Sequence, residues 1–364
     1  MTSIYVHIPF CHSKCIYCDF YSLPGLRRAG EVAGGIVAEY TARRGEMSEP
    51  PSTVYFGGGT PSSLPVEILA RIVEALPLES VTEFTIEANP EDIDVGKVDA
   101  WRRMGVNRVS MGIQTLDDDA LRRMGRRHSA AQAMEAVDII HGAGIDNISV
   151  DMIYGLPGLT PERWQQDLRC VLALAVDHLS AYCLTYNEGT VLYRQMQQGK
   201  VTPADDDTIA AQYEILCRES AGAGFEHYEI SNFARPGQRS RHNSAYWNPD
   251  SQWLGLGPSA HSFDGTVRRI DIADTGRWLE SLPRPFEIDE ETPLDRINDT
   301  IVTSLRTLEG LDLCRLPGDI AQGVMADAAR FVESGHMQFD GCRLSIPPAR
   351  WLTADAYIRE LIRV

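Results

Sequence analysis

The first half of the chain repeats one unit, a short run of β-branched and aromatic residues followed by a longer stretch with helical periodicity. Runs at 4–8, 53–56, 83–86, 108–111, 147–152 and 178–183 read as strands, and 31–44, 66–76, 95–104, 130–141 and 161–174 as helices between them. End signals agree: Ser129 can cap the helix that Ala130 begins, Gly142 and Gly144 can stop it, and Pro161 sits where a first-turn proline costs no hydrogen bond. Strand–helix–strand units of this length need parallel strands and right-handed crossovers, so an α/β protein is predicted, either a barrel or a doubly wound sheet. In both, function gathers at the C-terminal ends of the strands. Cys11 follows the first run, Gly57, Gly58 and Gly59 the second, Glu87 the third and Gln114 the fourth, while Asp151 lies within the fifth. These residues are expected to converge on one mouth.

Past Asn187 the pattern loosens, with polar, turn-rich segments at 203–207 and 235–241. A break at 282–285 precedes an acidic stretch, a helical pattern over 294–308 and a final helix over 354–362. The expected division is a large domain over 1–282, with its core at about 1–187, and a small, mostly helical C-terminal domain over 286–364. With 34 basic against 51 acidic residues the net charge is -17, which argues against a broad phosphate-neutralising face and so against nucleic acid as partner. No stretch approaches the roughly 20 apolar residues of a transmembrane helix, and MTSIYVHIPFC lacks a basic region followed by a long apolar run, so a cytoplasmic location is expected.

Three of the eight cysteines, Cys11, Cys15 and Cys18, fall on one loop directly after a strand. Cys170, Cys183, Cys217, Cys314 and Cys342 are scattered among apolar neighbours and are expected to be free, buried thiols. A structural zinc site usually takes four ligands and would have to recruit His12 or a distant residue. A ferredoxin would supply a fourth cysteine, and none of the other five is near in sequence. Three thiolates on a cubane leave one iron open for substrate or cofactor. The triple glycine, followed by Thr60 and Pro61, can present peptide groups to a ligand, although a tight turn alone would explain it equally well.

The spacing Cys-x3-Cys-x2-Cys with an aromatic before the last cysteine resembles the radical S-adenosylmethionine (SAM) superfamily motif. The resemblance implies a partial (β/α)6 barrel and a [4Fe-4S] cluster on Cys11, Cys15 and Cys18. Its open iron would chelate the amino and carboxylate groups of SAM, from which electron transfer yields a 5′-deoxyadenosyl radical. It further implies cofactor contacts from Gly57, Gly58, Gly59 and Thr60, from Glu87 in EANP, Gln114 in GIQTL, Arg126 and Asp151, and with lower specificity from Tyr5 and Thr185. Carboxylate, guanidinium and amide groups suit the ammonium, carboxylate and ribose diol of that cofactor.

YVHIPFC, GGGTPS, EANP, SMGIQ and DMIYGLPG together resemble the oxygen-independent coproporphyrinogen III dehydrogenase family, including its HemW-type heme chaperone branch. Two departures separate the branches. The dehydrogenase has a further cysteine two residues beyond its third, where this chain has Phe20, and it carries an N-terminal extension, whereas Cys11 lies close to this chain's start. HNSAYW, with His242, Asn243, Tyr246 and Trp247, matches the HNxxYW motif of the HemW branch. The resemblance thus implies heme as ligand, with His242 as a contact, His261 in GLGPSAHSF as a second candidate, and a structural loop as the competing reading of HNSAYW. It implies apo-hemoprotein clients, an electron donor and peripheral association with the inner membrane during delivery. Oxidative decarboxylation of coproporphyrinogen III is the alternative function.

Overall fold

In the computed structural model, which describes residues 1–364, the six runs are strands: β1 (Thr2–Ile8), β2 (Thr53–Gly58), β3 (Glu83–Ala88), β4 (Arg108–Gln114), β5 (Asn147–Tyr154) and β6 (His178–Cys183). They pair in parallel, each with the next in sequence. That order makes a barrel wall, because a doubly wound sheet reverses its strand order partway. The crossovers carry α1 (Ala29–Arg43), α2 (Val66–Val73), α3 (Val95–Arg103), α4 (Asp118–Met124), α5 (Ala130–Gly142) and α6 (Pro161–Leu172). Ser129 closes a capping box with Gln132 at the start of α5, and Thr160 caps α6 ahead of Pro161. The seven-residue α4 escapes the sequence reading because it is too short to show a helical period.

Strand alternation divides the wall into two chemically distinct faces. Ile4, Val6, Ile8, Val54, Phe56, Phe84, Ile86, Val109, Met111, Ile148, Val150 and Leu179 join Val32, Ile72, Trp101, Val137 and Leu168 of the helices in one buried apolar cluster. The other face carries Tyr5, His7, Tyr55, Glu87, Arg108, Ser110, Asp151, His178 and Ser180. The barrel is therefore oily outside its wall and polar within it.

The wall remains open and continues at both ends. α7 (Val191–Gln197) and α8 (Asp206–Gly222) lead into β7 (Glu226–Glu229) and β8 (Asn232–Ala234), and β8 pairs antiparallel with β6. α9 (Arg241–Trp247) then precedes β9 (Gln252–Leu256), which pairs in parallel with β1. Antiparallel β10 (His261–Phe263), β11 (Val267–Asp271) and, after α10 (Thr275–Glu280), β12 (Phe286–Glu290) complete a twelve-stranded sheet. α8 begins inside a segment that reads as polar and turn-rich, because Asp205 caps it and Asp206 and Asp207 favour its N-terminus. Its buried Gln212 accepts from Gly155 N–H at 2.7 Å and donates to Leu159 O at 2.7 Å, fixing the turn that leaves β5.

The C-terminal part contains α11 (Pro293–Ser304), α12 (Gly318–Glu333) and α13 (Ala354–Arg359), with a small sheet of β13 (Leu311–Asp312), β14 (Gln338–Phe339) and β15 (Arg343–Ser345). It packs on the barrel through Trp351, whose ring meets His227 edge-on at 4.5 Å, and through Tyr213, which donates to Pro348 O at 2.8 Å. No helix is long and apolar enough to cross a membrane. All eight cysteines are free thiols, but the expectation of burial needs correction: Cys170, Cys314 and Cys342 are exposed, and Cys183 and Cys217 are half-buried. Apolar sequence neighbours misled there, since Cys170 lies on the outer side of α6 and the other two at the rim of the small sheet.

One buried ion cluster ties α1 to the added strands. Arg43 donates to Glu39 at 2.6 Å, to Ser262 at 2.8 Å, to Gly255 O at 3.2 Å and to Asp271 at 3.4 Å. Burial raises the pKa of both Glu39 and Asp271, so the guanidinium is what makes a charged carboxylate tolerable there. Arg43→Ala would strand those groups without a cation. We expect it to lower unfolding free energy by about 3–5 kcal/mol in chemical denaturation, with little rescue by Arg43→Lys, which lacks the planar fork.

Candidate functional site

The first cysteine ends a two-residue strand, Phe10–Cys11, that leaves β1 and pairs with Leu23–Pro24. Backbone bonds anchor the loop between them. Ile16 N–H donates to Met124 O at the end of α4 (3.1 Å), and Leu192 N–H at the start of α7 donates to Ile16 O (2.9 Å). Gly125 adopts φ +83° beside the loop, closing α4 so that this contact forms. Cys11, Cys15 and Cys18 are all half-buried.

These three sulfurs do not form a group whose donor atoms lie within 4.8 Å of one another; Asp312, Cys314 and Cys342 make up the single such group. A single ion would draw its ligands to about 3.7–3.8 Å apart, so the loop fits a cubane, which holds thiolates at separate corners, better than zinc. Burial raises Cys11 and pushes the Cys18 thiol up to about 11, so cluster binding must displace protons. His12 is directed elsewhere, its Nε2 lying 3.3 Å from Asp92 Oδ1.

A chain of side chains joins two of the ligands. Thr60 Oγ1 donates to Cys11 Sγ at 3.4 Å and accepts from Asn89 Nδ2 at 3.4 Å. Arg126 donates to Asn89 Oδ1 at 2.8 Å and to Gly112 O at 2.6 Å, and its other terminal nitrogen lies 3.9 Å from Cys15 Sγ. Thr60 and Arg126 were expected here. Asn89 was missed as a site residue, although EANP contains it.

The glycine turn is built for close approach. Gly58 has φ +103°, and a Cβ on Gly59 would stand 2.7 Å from the carbonyl oxygens of Ile8 and Phe10. The N–H groups of Gly58, Gly59 and Thr60 donate to Glu87, Ile8 and Phe10. A ligand at this turn must therefore be held through acceptor oxygens, which suits an ammonium. Gly112 has a similar role: a Cβ there would lie 2.5 Å from Gln114 Nε2 and 3.1 Å from Arg126, so its absence admits both side chains. Gln114 itself has φ +70° at a register shift that ends β4, an uncommon conformation for a residue other than glycine.

Two carboxylates face the polar interior below this turn. Glu87 accepts from Tyr55 OH at 2.8 Å and from Gly58 N–H at 3.1 Å, yet burial pushes its pKa up to about 7. Asp151, level with Gly112 and Ser180 on the neighbouring strands, is pushed up to about 6, again chiefly by burial. Arg108 shares this interior, where its charge favours the ionised form of both. Tyr5 stacks on Tyr55 with ring centroids 6.1 Å apart and meets His7 Nδ1 at 3.2 Å. Thr185 stands apart on the exposed loop after β6 and makes no side-chain hydrogen bond.

HNSAYW forms α9. Ser240 caps it, and the Glu83 carboxylate accepts from the N–H groups of Arg241 and His242 at 2.8 and 2.9 Å. The His242 ring is buried and stacks on Tyr55 at 4.9 Å; its Nδ1 lies 2.8 Å from Thr53 Oγ1 and its Nε2 3.0 Å from Tyr246 OH. Both ring nitrogens of His242 are thus engaged inside the barrel. His261, by contrast, is exposed and makes no side-chain hydrogen bond.

The Radical SAM superfamily profile matches residues 5–171. The chain is 32% identical over 323 residues to "Heme chaperone HemW" of Bacillus subtilis, covering 85% of each, and 32% identical over 375 residues to the Mycobacterium tuberculosis protein of that name, covering 99% of this chain and 94% of the relative. It is 39% identical to the mitochondrial "Radical S-adenosyl methionine domain-containing protein 1" of Mus musculus over 77% of this chain and 66% of the relative. The fold matches the coproporphyrinogen III oxidase HemN of Escherichia coli with a TM-score of 0.85, at 21% identity, over 99% of this chain and 90% of that one.

The Glu87 environment generates a pH dependence. Its raised pKa means that folding takes up a proton between the ordinary carboxylate range and about pH 7, so the stability gained is full at low pH and lost as pH rises through 7. A cofactor ammonium or ribose hydroxyl donates and requires the ionised form. With the cluster already in place, SAM affinity should fall at least about tenfold from its high-pH limit by pH 6, while Glu87→Gln binds more weakly and keeps only the shallower dependence that Asp151 contributes near pH 6. A wild-type profile that is flat between pH 6 and 8 contradicts this assignment.

Proposed function

Because the chain belongs to the radical SAM superfamily and, within it, to the family of HemW heme chaperones, we propose that it binds heme and hands it to apo-hemoproteins, working at the cytoplasmic side of the inner membrane. The superfamily brings a [4Fe-4S] cluster and SAM, held here by Cys11, Cys15 and Cys18 and by the residues around Glu87. When bound, they supply one-electron chemistry at the barrel mouth.

The observation that carries the reading is the placement of HNSAYW directly beneath the cofactor carboxylates, with Tyr55 as the joint. Its ring stacks on His242 while its hydroxyl donates to Glu87. A metal-ligating histidine is normally oriented through its second nitrogen, and the Thr53 contact at Nδ1 supplies that orientation. His242 would offer Nε2 to heme iron in place of the Tyr246 hydroxyl, and Tyr246 and Trp247 would supply aromatic surface for the porphyrin. That exchange needs only the Tyr246 hydroxyl to turn away from Nε2 while His242 keeps its contact with Thr53. Tyr55 touches both His242 and Glu87, so heme loading and cofactor occupancy are read as linked. Likeness to HemN shows the fold alone and does not favour the dehydrogenase. Where that branch has its further cysteine, Phe20 is 64% exposed.

Heme titration of protein with an intact cluster tests the site. His242→Ala should weaken binding at least about tenfold, the loss expected for roughly 1.4 kcal/mol, and shift the Soret band, whereas His261→Ala should bind like the parent. The reverse pattern would move the ligand to His261. A parent that binds no heme but forms vinyl product from coproporphyrinogen III would replace the chaperone reading with the dehydrogenase.

A further inference from the structure

Far from the cofactor mouth, two thiols expected to be buried and unremarkable stand exposed beside a carboxylate. Cys314 Sγ and Cys342 Sγ are 3.7 Å apart, and Cys342 Sγ lies 3.4 Å from Asp312 Oδ1. All three donor atoms fall within 4.8 Å of one another. For sulfurs bound to zinc at about 2.3 Å with tetrahedral angles, the sulfur–sulfur separation is about 3.7–3.8 Å and the sulfur–oxygen separation about 3.5 Å. The sulfurs are thus at the spacing of two ligands to one ion, well beyond the roughly 2.05 Å of a disulfide.

The backbone holds the donors in this arrangement. Asp312 begins a single turn of 3-10 helix and accepts from Cys314 N–H at 3.0 Å. Asp340 accepts from the N–H groups of Cys342 and Arg343 at 2.9 and 2.7 Å, which shapes the turn into β15. β13 and β15 pair with Asp312 opposite Arg343, and Leu313 N–H donates to Cys342 O at 3.1 Å. Residues 28 apart in sequence are therefore brought together by a paired sheet. Without a bound cation, two thiols and a carboxylate converge here, with the Arg343 guanidinium 3.5 Å from Asp312 Oδ2 and Arg315 also offsetting the carboxylate charge.

We propose that Asp312, Cys314 and Cys342 form a second metal site, for one thiophilic divalent cation of the zinc class, clamping the turn before β15 to the segment after β13. Binding displaces one proton from each thiol, with no change of oxidation state. Three protein ligands on an exposed rim leave the fourth position to water or to a donor atom from another molecule.

Elemental analysis of cluster-loaded protein, given one equivalent of Zn2+ under reducing, anaerobic conditions and then desalted, tests this. About one zinc should accompany about four irons per chain. The double variant Cys314→Ser/Cys342→Ser should retain the iron and lose the zinc, with affinity against a chromophoric zinc chelator weakened at least about 100-fold. Asp312→Asn, which keeps the side-chain shape, should weaken it about tenfold. Zinc retained equally by the double variant, or no zinc in the parent, would overturn the proposal. So would mass-spectrometric detection of a Cys314–Cys342 disulfide as the persistent form under those conditions.

Discussion

A barrel wall whose inner face carries Tyr5, Tyr55, Glu87, Arg108, Asp151 and His178 cannot be filled with hydrocarbon, because each buried polar group left without a partner costs on the order of 1–3 kcal/mol. Much of the molecule answers that constraint. Tyr228 from β7 reaches His178 at 2.8 Å, α9 brings His242 to Thr53 and Tyr55 with Tyr246 on its other ring nitrogen, and Glu83 turns its carboxylate to the start of α9. At the mouth, half-buried Glu87 and Asp151 keep capacity for further donors, and partial burial raises the pKa of both. A cationic, hydroxyl-rich cofactor is the kind of ligand such an interior accepts.

The cluster loop depends on the same wall. Its position is set by where β1 ends, by the glycine turn after β2 and by Arg126 after β4, so cluster and cofactor groups are held by one set of backbone bonds. Thr60, Asn89 and Arg126 connect Cys11 to Cys15 across elements that the sheet has already placed side by side. Removal of a loop contact would thus be felt at two thiols, and the cofactor side of the site would register it through Arg126 and Gly112.

The wall was legible in the sequence because its outer face obeys a period of two and its helices a period of 3.6, and both signals are local. Convergence at one mouth followed from parallel pairing. What escaped was decided by distant contacts or by very short elements. β9 joins β1 across the whole barrel sequence, and nothing in residues 252–256 alone announces a parallel partner at 2–6. Asn89 earns its role only when Arg126 and Thr60 are both beside it. His242 was legible as a motif but not as a buried ring, since its surroundings come from Thr53 and Tyr55, nearly two hundred positions earlier. The exposure of Cys314 was hidden for the opposite reason: Leu313 and Leu316 beside it are buried while its own side chain faces out.

The central claim is that the chain carries heme in order to release it, and transfer measures that most directly. Heme-loaded protein with an intact cluster, mixed anaerobically with an apo-hemoprotein and followed in the Soret region, should lose its band as the acceptor's band grows in stoichiometric proportion, faster than free heme enters the same acceptor. Heme that stays bound to this chain, or that reaches the acceptor no faster than free heme does, would contradict the account.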